Sequence, residues 1–264
     1  MPDPATTVGL AAVGAYVAKD VVTRLLGPTA DFLGGEMKEF AQRRMETIGR
    51  IFQNAACKIQ DQLDEPGAVP PRVLRDVVNE GSFQDDDLAV DYFGGMLASS
   101  RSMLNRDDRA ATFTALVSGL STYQIRTHFI LYSILRSLFV GQYDSMYGQE
   151  RRRKELATYI PFEIYAAAMD FTPKEVQQFQ GILEHIFWGL SKENLIGGFE
   201  YGQNMPNFSK VGKGIVFLPS VLGAELFLRA HGVQAARAGD ILSPDLKLTV
   251  ECQIAISPGS KAAA

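Results

Sequence analysis

Cysteine is scarce in this sequence: two residues in 264, Cys57 and Cys252, far apart along the chain. A small secreted domain that relies on disulfides carries a denser, even-numbered set, so the chain is expected to fold on its core alone, in the cytoplasm, with both thiols reduced. Histidine is scarce too, at three residues. Of His128, His185 and His231, none stands at a zinc-ligand spacing from another histidine, a cysteine or a carboxylate, and structural roles are expected for all three. Long hydrophobic runs are missing as well. The apolar stretch 8–18 ends at Lys19 and Asp20, short of a bilayer crossing, and Met1-Pro2-Asp3-Pro4 lacks the basic start of a signal peptide. Nor is there an excess of positive charge: 26 basic against 30 acidic residues give −4, which disfavours general binding to nucleic acid.

Catalytic signatures are also lacking. There is no phosphate-cradling glycine loop, no serine elbow and no cysteine with a neighbouring base, and Gly212-Lys213-Gly214 is too short to serve as the first of these. The acidic group Glu80, Asp85, Asp86 and Asp87 lacks the alternating spacing and the turn glycine of a calcium loop, and reads instead as charge compensation at a helix start. The expectation is a protein that is not an enzyme, with no cofactor, no metal and no catalytic residues.

What is present is mainly helical. With 46% hydrophobic residues the chain can bury a sizeable core. Val13, Val17, Val21 and Leu25 recur every fourth residue before Gly27-Pro28 breaks the pattern, and a second helix is predicted over 28–63, apolar on one face and charged on the other. The prolines of 64–71 end it, and Pro71 suits the first turn of a helix that Gly81 closes. Another helix opens at Asp85-Asp86-Asp87, and its small residues Gly94, Gly95, Ser99 and Ser100 predict a close helix crossing. Ser121 with Gln124, and Thr172-Pro173 with Glu175, are capping boxes. The first starts an apolar helix expected at the centre of the fold, the second a continuous helix over 173–190. Short strands are predicted over 195–201 and 214–218, followed by a helix over 219–230. Strict alternation predicts a further strand over 246–256, paired with the hairpin.

The fold class read from this is mainly α: N-terminal helices and a central helical bundle, then a winged-helix-like α+β region. The divisions are 1–63, an N-terminal amphipathic segment; 64–140, a central helical domain; 141–256, the winged-helix-like region; and 257–264, a flexible tail. Two contact regions stand out. Arg151, Arg152, Arg153 and Lys154 form the one dense basic run, read first as a solvated loop and, as the alternative, as a contact to an anionic surface. The stripe Val13, Val17, Val21 and Leu25 suits a membrane or a protein partner, with the partner or an oligomer ranked first.

The order Val69-Pro70-Pro71-Arg72-Val73-Leu74, Asn79-Glu80-Gly81-Ser82, Asp85-Asp86-Asp87-Leu88 and Gly95-Met96-Leu97-Ala98-Ser99-Ser100 resembles the Abi-alpha (abortive infection alpha) family. The likeness extends upstream through Gly27-Pro28 and Phe32-Leu33-Gly34, and downstream through Leu120-Ser121, 190–196 and 219–230, covering most of the chain, with the family motif in 64–140. The chain departs from the family pattern at Phe93-Gly94, where an aromatic-alanine pair is common, and at Met96, where leucine is common. The resemblance implies a bacterial protein of abortive phage defence and carries over no catalytic residue; the apolar N-terminal stripe adds the expectation of action by protein association or at the cytoplasmic face of the inner membrane. The alternatives are a winged-helix regulator binding nucleic acid through 151–154 and the helix from Pro173, and a scaffold subunit of a larger complex.

Overall fold

The computed structural model describes residues 29–59, 66–104, 107–142, 145–208, 210–246, 248 and 260–261. The stripe Val13, Val17, Val21 and Leu25 lies outside the described residues, as does the predicted strand from Thr249 to Ile256, while Leu246 and Leu248 belong to no strand. The chain divides into two compact units, Met1–Glu46 and Thr47–Ala264, and the first helix, α1 (Thr29–Lys58), runs through the division. The expected segments 64–140 and 141–256 share one core in the second unit, which α1 joins through Ile51, Ala55 and Ile59.

Local chemistry accounts for the helical starts. α2 (Pro71–Gly81) has proline at its first position and buries Val73 and Val77, four residues apart. α3 (Asp87–Ser100) is capped by Asp86, whose carboxylate accepts from the Ala89 amide at 2.9 Å, and Asp87 in its first turn pairs with Arg50 at 2.5 Å. Of the acidic group, Asp86 and Asp87 thus serve the helix start, while Glu80 lies in the last turn of α2. α3 is buried from Leu88 to Ser100 and packs against α2, α4 (Arg109–Ser118), α5 (Thr122–Phe139) and α10 (Val221–Ala230). Its glycines permit this: a Cβ on Gly95 would stand 2.0 Å from the Ala230 carbonyl oxygen, and one on Gly94 would meet Asn54 at 2.7 Å. The small residues mark the close crossing they predict. α5 carries both halves of the Ser121/Gln124 box and buries most of its length against α3, α10, α7 (Phe162–Met169) and α9 (Phe179–Lys192).

Beyond α5 the chain forms the short α6 (Glu150–Glu155), then β1 (Thr158–Pro161), α7, α8 (Pro173–Gln177) and α9. The helix predicted over 173–190 is interrupted: Gln178, at φ −107° and ψ 13°, separates α8 from α9. The break lets Phe179 turn inward, edge-on to Phe162 and Phe171, both at 5.7 Å between ring centres. β2 (Ile196–Met205) and β3 (Lys210–Pro219) then form a hairpin, longer than the sequence pattern suggests, closed by a 3-10 turn at Pro206–Phe208. β3 also pairs antiparallel with β1, and β1 with β4 (Ser260–Lys261), giving the order β2-β3-β1-β4. Ser260 and Lys261, in the stretch expected as a tail, therefore belong to the sheet. The fold is mainly helical with a small antiparallel sheet in its C-terminal part.

Candidate functional site

The basic run is a helix, not the solvated loop expected of it. Lys154 pairs with Glu150 at 2.8 Å and Arg152 with Glu155 at 2.5 Å, the i,i+4 and i,i+3 spacings that favour helical backbone. Arg153 turns inward, and its guanidinium donates to the carbonyls of Tyr147 at 3.1 Å and Gly148 at 2.5 Å, fixing the preceding 3-10 turn. Arg151 and Lys154 are left on the outside, while α6 as a whole packs against β3. The four cations are therefore not equivalent: one is structural, two are paired along the helix, and Arg151 faces solvent.

A second surface has a different character. α9 buries Leu183, Ile186, Phe187 and Leu190, a stripe that leaves Trp188 pointing away from the core at 66% exposure. Beneath it, Phe199 on β2 meets the indole edge-on at 5.3 Å, and Tyr201, two residues along the same strand face, stacks with Phe199 at 6.0 Å and 10°. Phe187 contacts both β2 rings from within, at 5.3 and 5.6 Å. An aromatic column thus runs from the core to the surface and ends in the chain's single tryptophan. Sequence reasoning passed over this face. The signal available was that Trp188 falls between the buried positions 187 and 190 of the helical stripe, where an apolar residue has no core to enter.

The remaining polar aromatics are absorbed in packing. His128, wholly buried, donates from Nε2 to the Gly223 carbonyl at 3.0 Å, so Nδ1 accepts the Tyr92 hydroxyl at 2.8 Å and the ring is neutral. Burial pushes its pKa down to about 3, and that of His231 down to about 4. His231 donates from Nδ1 to the Phe227 carbonyl at 2.7 Å. Tyr132 donates to the Leu195 carbonyl at 2.7 Å and accepts the Ser220 amide at 3.0 Å, and burial raises its pKa to about 12. His185 lies on the surface, its Nε2 within 3.0 Å of the Ser121 hydroxyl. A cavity of ≈ 360 Å³ between α5 and α10 is lined by Ser133, Arg136, Phe227, His231 and Leu248. Its principal charge is engaged: Arg136 donates to the carbonyls of Ile241 and, at 2.8 Å, Leu246.

Among the described residues no helix is long and apolar enough to cross a membrane. Comparison with family models, curated proteins and solved structures yields no match.

Proposed function

We propose that this chain is a non-catalytic antiphage protein of abortive-infection type that acts by associating with a protein partner, and that the aromatic face of α9 and β2 is its contact. The observation that carries the reading is Trp188, two-thirds exposed and backed by Phe199 and Tyr201. A large rigid aromatic held in place before binding costs little entropy when a partner covers it, and tryptophan is among the residues that most often dominate interface energetics. The order of motifs through α2 and α3 that resembles the Abi-alpha family supplies the defence context. The protein is placed by this reading in the cytoplasm, and the stripe Val13, Val17, Val21 and Leu25 is a second contact, to protein or to the inner-membrane surface.

The test is phage titre and host survival in cells expressing the chain or Trp188→Ser, with thermal unfolding checked for both. Early host death with a lowered titre, lost in Trp188→Ser at unchanged stability, supports the reading. Protection that survives the substitution removes the aromatic face from it, and failure of the parent chain to protect against a broad phage panel removes the defence role.

A winged-helix regulator is the second reading, favoured by one observation: the strand order β2-β3-β1 with α7, α8 and α9 between β1 and β2 is the arrangement such a module requires. Its weakness is the outer face of α9, where Glu184 and Trp188 stand with a single lysine, Lys192, itself paired with Glu193 at 3.1 Å. A gel shift that weakens with salt and is lost in Arg151→Ala with Lys154→Ala is its expected signature; no shift at low salt rejects it.

A further inference from the structure

Trp188 does not stand alone on the outside of α9. Glu184, one helical turn before it and likewise exposed, occupies the same row, where residues four apart lie about 5–6 Å from one another at Cβ. Gln180, a further turn back, donates to Glu184 Oε1 at 2.9 Å and so holds the carboxylate along that row, while Oε2 makes no bond among the described residues. Lys192, one turn past Trp188, has its ammonium on Glu193 at 3.1 Å. An exposed indole and a half-used carboxylate therefore adjoin on one helix face.

The strand beneath shares this character. Phe199 supports the indole edge-on at 5.3 Å, with Tyr201 stacked beside it. Burial, and after it the charge of Glu184, raises the pKa of the Tyr201 hydroxyl, so the field of that carboxylate reaches β2. Aromatic faces are electron-rich, and the carboxylate adds a full negative charge, which makes the patch apolar in area and negative in potential. A neutral apolar group laid on the indole would withdraw Glu184 from water without pairing it, which is unfavourable. An ammonium would pair with the carboxylate as a point charge. A guanidinium does both, since its flat plate stacks on a ring while its N–H edge donates to a carboxylate.

We infer that the outer row of α9 receives an arginine side chain of the protein partner, its guanidinium stacked on the Trp188 indole and bonded at its edge to the Glu184 carboxylate. This rests on the reading of the aromatic face as the partner contact, and it names what the partner brings there. Each half of the site supplies what the other lacks: the ring gives area and an electron-rich face, and the carboxylate gives direction and charge. Phe199 and Phe187 support the arrangement from below without touching the incoming group, because they already pack against the indole and the β2 rings.

The test is titration of the full chain with a glycine-rich pentapeptide carrying two arginines, and with the same peptide carrying citrulline or lysine in their place. Binding is followed by calorimetry and by the emission of Trp188, the chain's single tryptophan. Saturable binding of the arginine peptide is expected, with a change in Trp188 emission, and about tenfold weaker binding of the citrulline peptide, which keeps the shape and loses the charge. Glu184→Gln, exposed and still able to bond Gln180, should weaken arginine binding severalfold at an unchanged unfolding midpoint. Equal binding of arginine and citrulline, equal binding of arginine and lysine, full affinity in Glu184→Gln, or no saturable binding each overturns the inference. Phage protection separates it from the reading it rests on. Protection lost in Trp188→Ser but intact in Glu184→Gln keeps the aromatic contact and removes the arginine, whereas protection lost in both, with the peptide preference as expected, supports it.

Discussion

Gly95 fixes how closely α3 and α10 approach, since the Ala230 carbonyl oxygen lies 2.0 Å from where a Cβ would stand. Backbone, not a flexible side chain, blocks the space, so Gly95→Ala is expected to cost about 3 kcal/mol, measurable as a lower urea midpoint. A second residue-scale prediction concerns the same helix. The Lys58 ammonium, fully buried, pairs with Asp91, which also accepts from Asn54 at 3.4 Å. Asp91→Ala leaves that cation buried without its counter-charge and should cost about 3–5 kcal/mol, whereas Lys58→Met with Asp91→Leu should recover most of the loss. The buried histidines set a pH dependence. Folding lowers the pKa of His128 to about 3 and of His231 to about 4, from 6.5. Between those values and 6.5 the unfolded chain binds more protons than the folded one, so stability is full above about pH 6.5 and is lost as pH falls toward 4. Urea midpoints measured from pH 7.5 to 4.5 should stay level above 6.5 and decline below it. Replacing His231 by glutamine should make the decline shallower, and an unchanged slope would show that other groups control it.

Elements were legible in the sequence where a local signal starts or stops them. Asp86, Ser121, Thr172 and Pro71 each mark a helix start, because a cap is chemistry between residues three positions apart. β1 was not legible: four residues, Thr158–Pro161, have no room for a periodic signal, and they are a strand because Thr158 lies opposite Phe217 nearly sixty residues on. The interruption at Gln178 was hidden for the same reason, since what draws Phe179 inward is Phe162 and Phe171. The helical state of 151–154 was within reach, Glu150 and Glu155 being spaced to pair with Lys154 and Arg152. Of the candidate contacts, the basic run could be read as a run but not as one structural, two paired and one solvent-facing cation, and the aromatic column of Trp188, Phe199 and Tyr201 joins a helix to a strand that sequence order keeps apart. At this scale the start of α5 offers a test. Ser121 caps the helix, Gln124 returns the bond at 2.9 Å and reaches across to the His185 carbonyl at 3.2 Å, and Gly189 leaves room for it. Ser121→Ala should therefore lower stability by about 1 kcal/mol, read from the urea midpoint, and Gln124→Ala by more, because it also removes the donor that bonds the His185 carbonyl between α5 and α9.

For the whole molecule, the division after Glu46 separates what holds the fold from what the proposed role assigns to the N-terminal stripe. The hydrophobic core of the second unit includes Ile51, Ala55 and Ile59 of α1, and Lys58 forms the buried pair with Asp91. Removing residues 1–27 takes away Val13, Val17, Val21 and Leu25 and none of these groups. On the reading that the stripe serves association, the truncated chain is expected to unfold cooperatively with a stability, read from urea unfolding, within about 0.5 kcal/mol of the full chain. A chain beginning at residue 60 should not unfold cooperatively at all, because it loses Ile51, Ala55 and Ile59 together with Lys58 and leaves Asp91 buried without its ion-pair partner. Phage protection measured on the 1–27 deletion then separates two versions of the proposed role. Protection lost at unchanged stability assigns the effect to the apolar stripe, with the folded unit as its carrier. Protection retained assigns it to surfaces within 28–264, and Trp188→Ser in the deleted background should then abolish it.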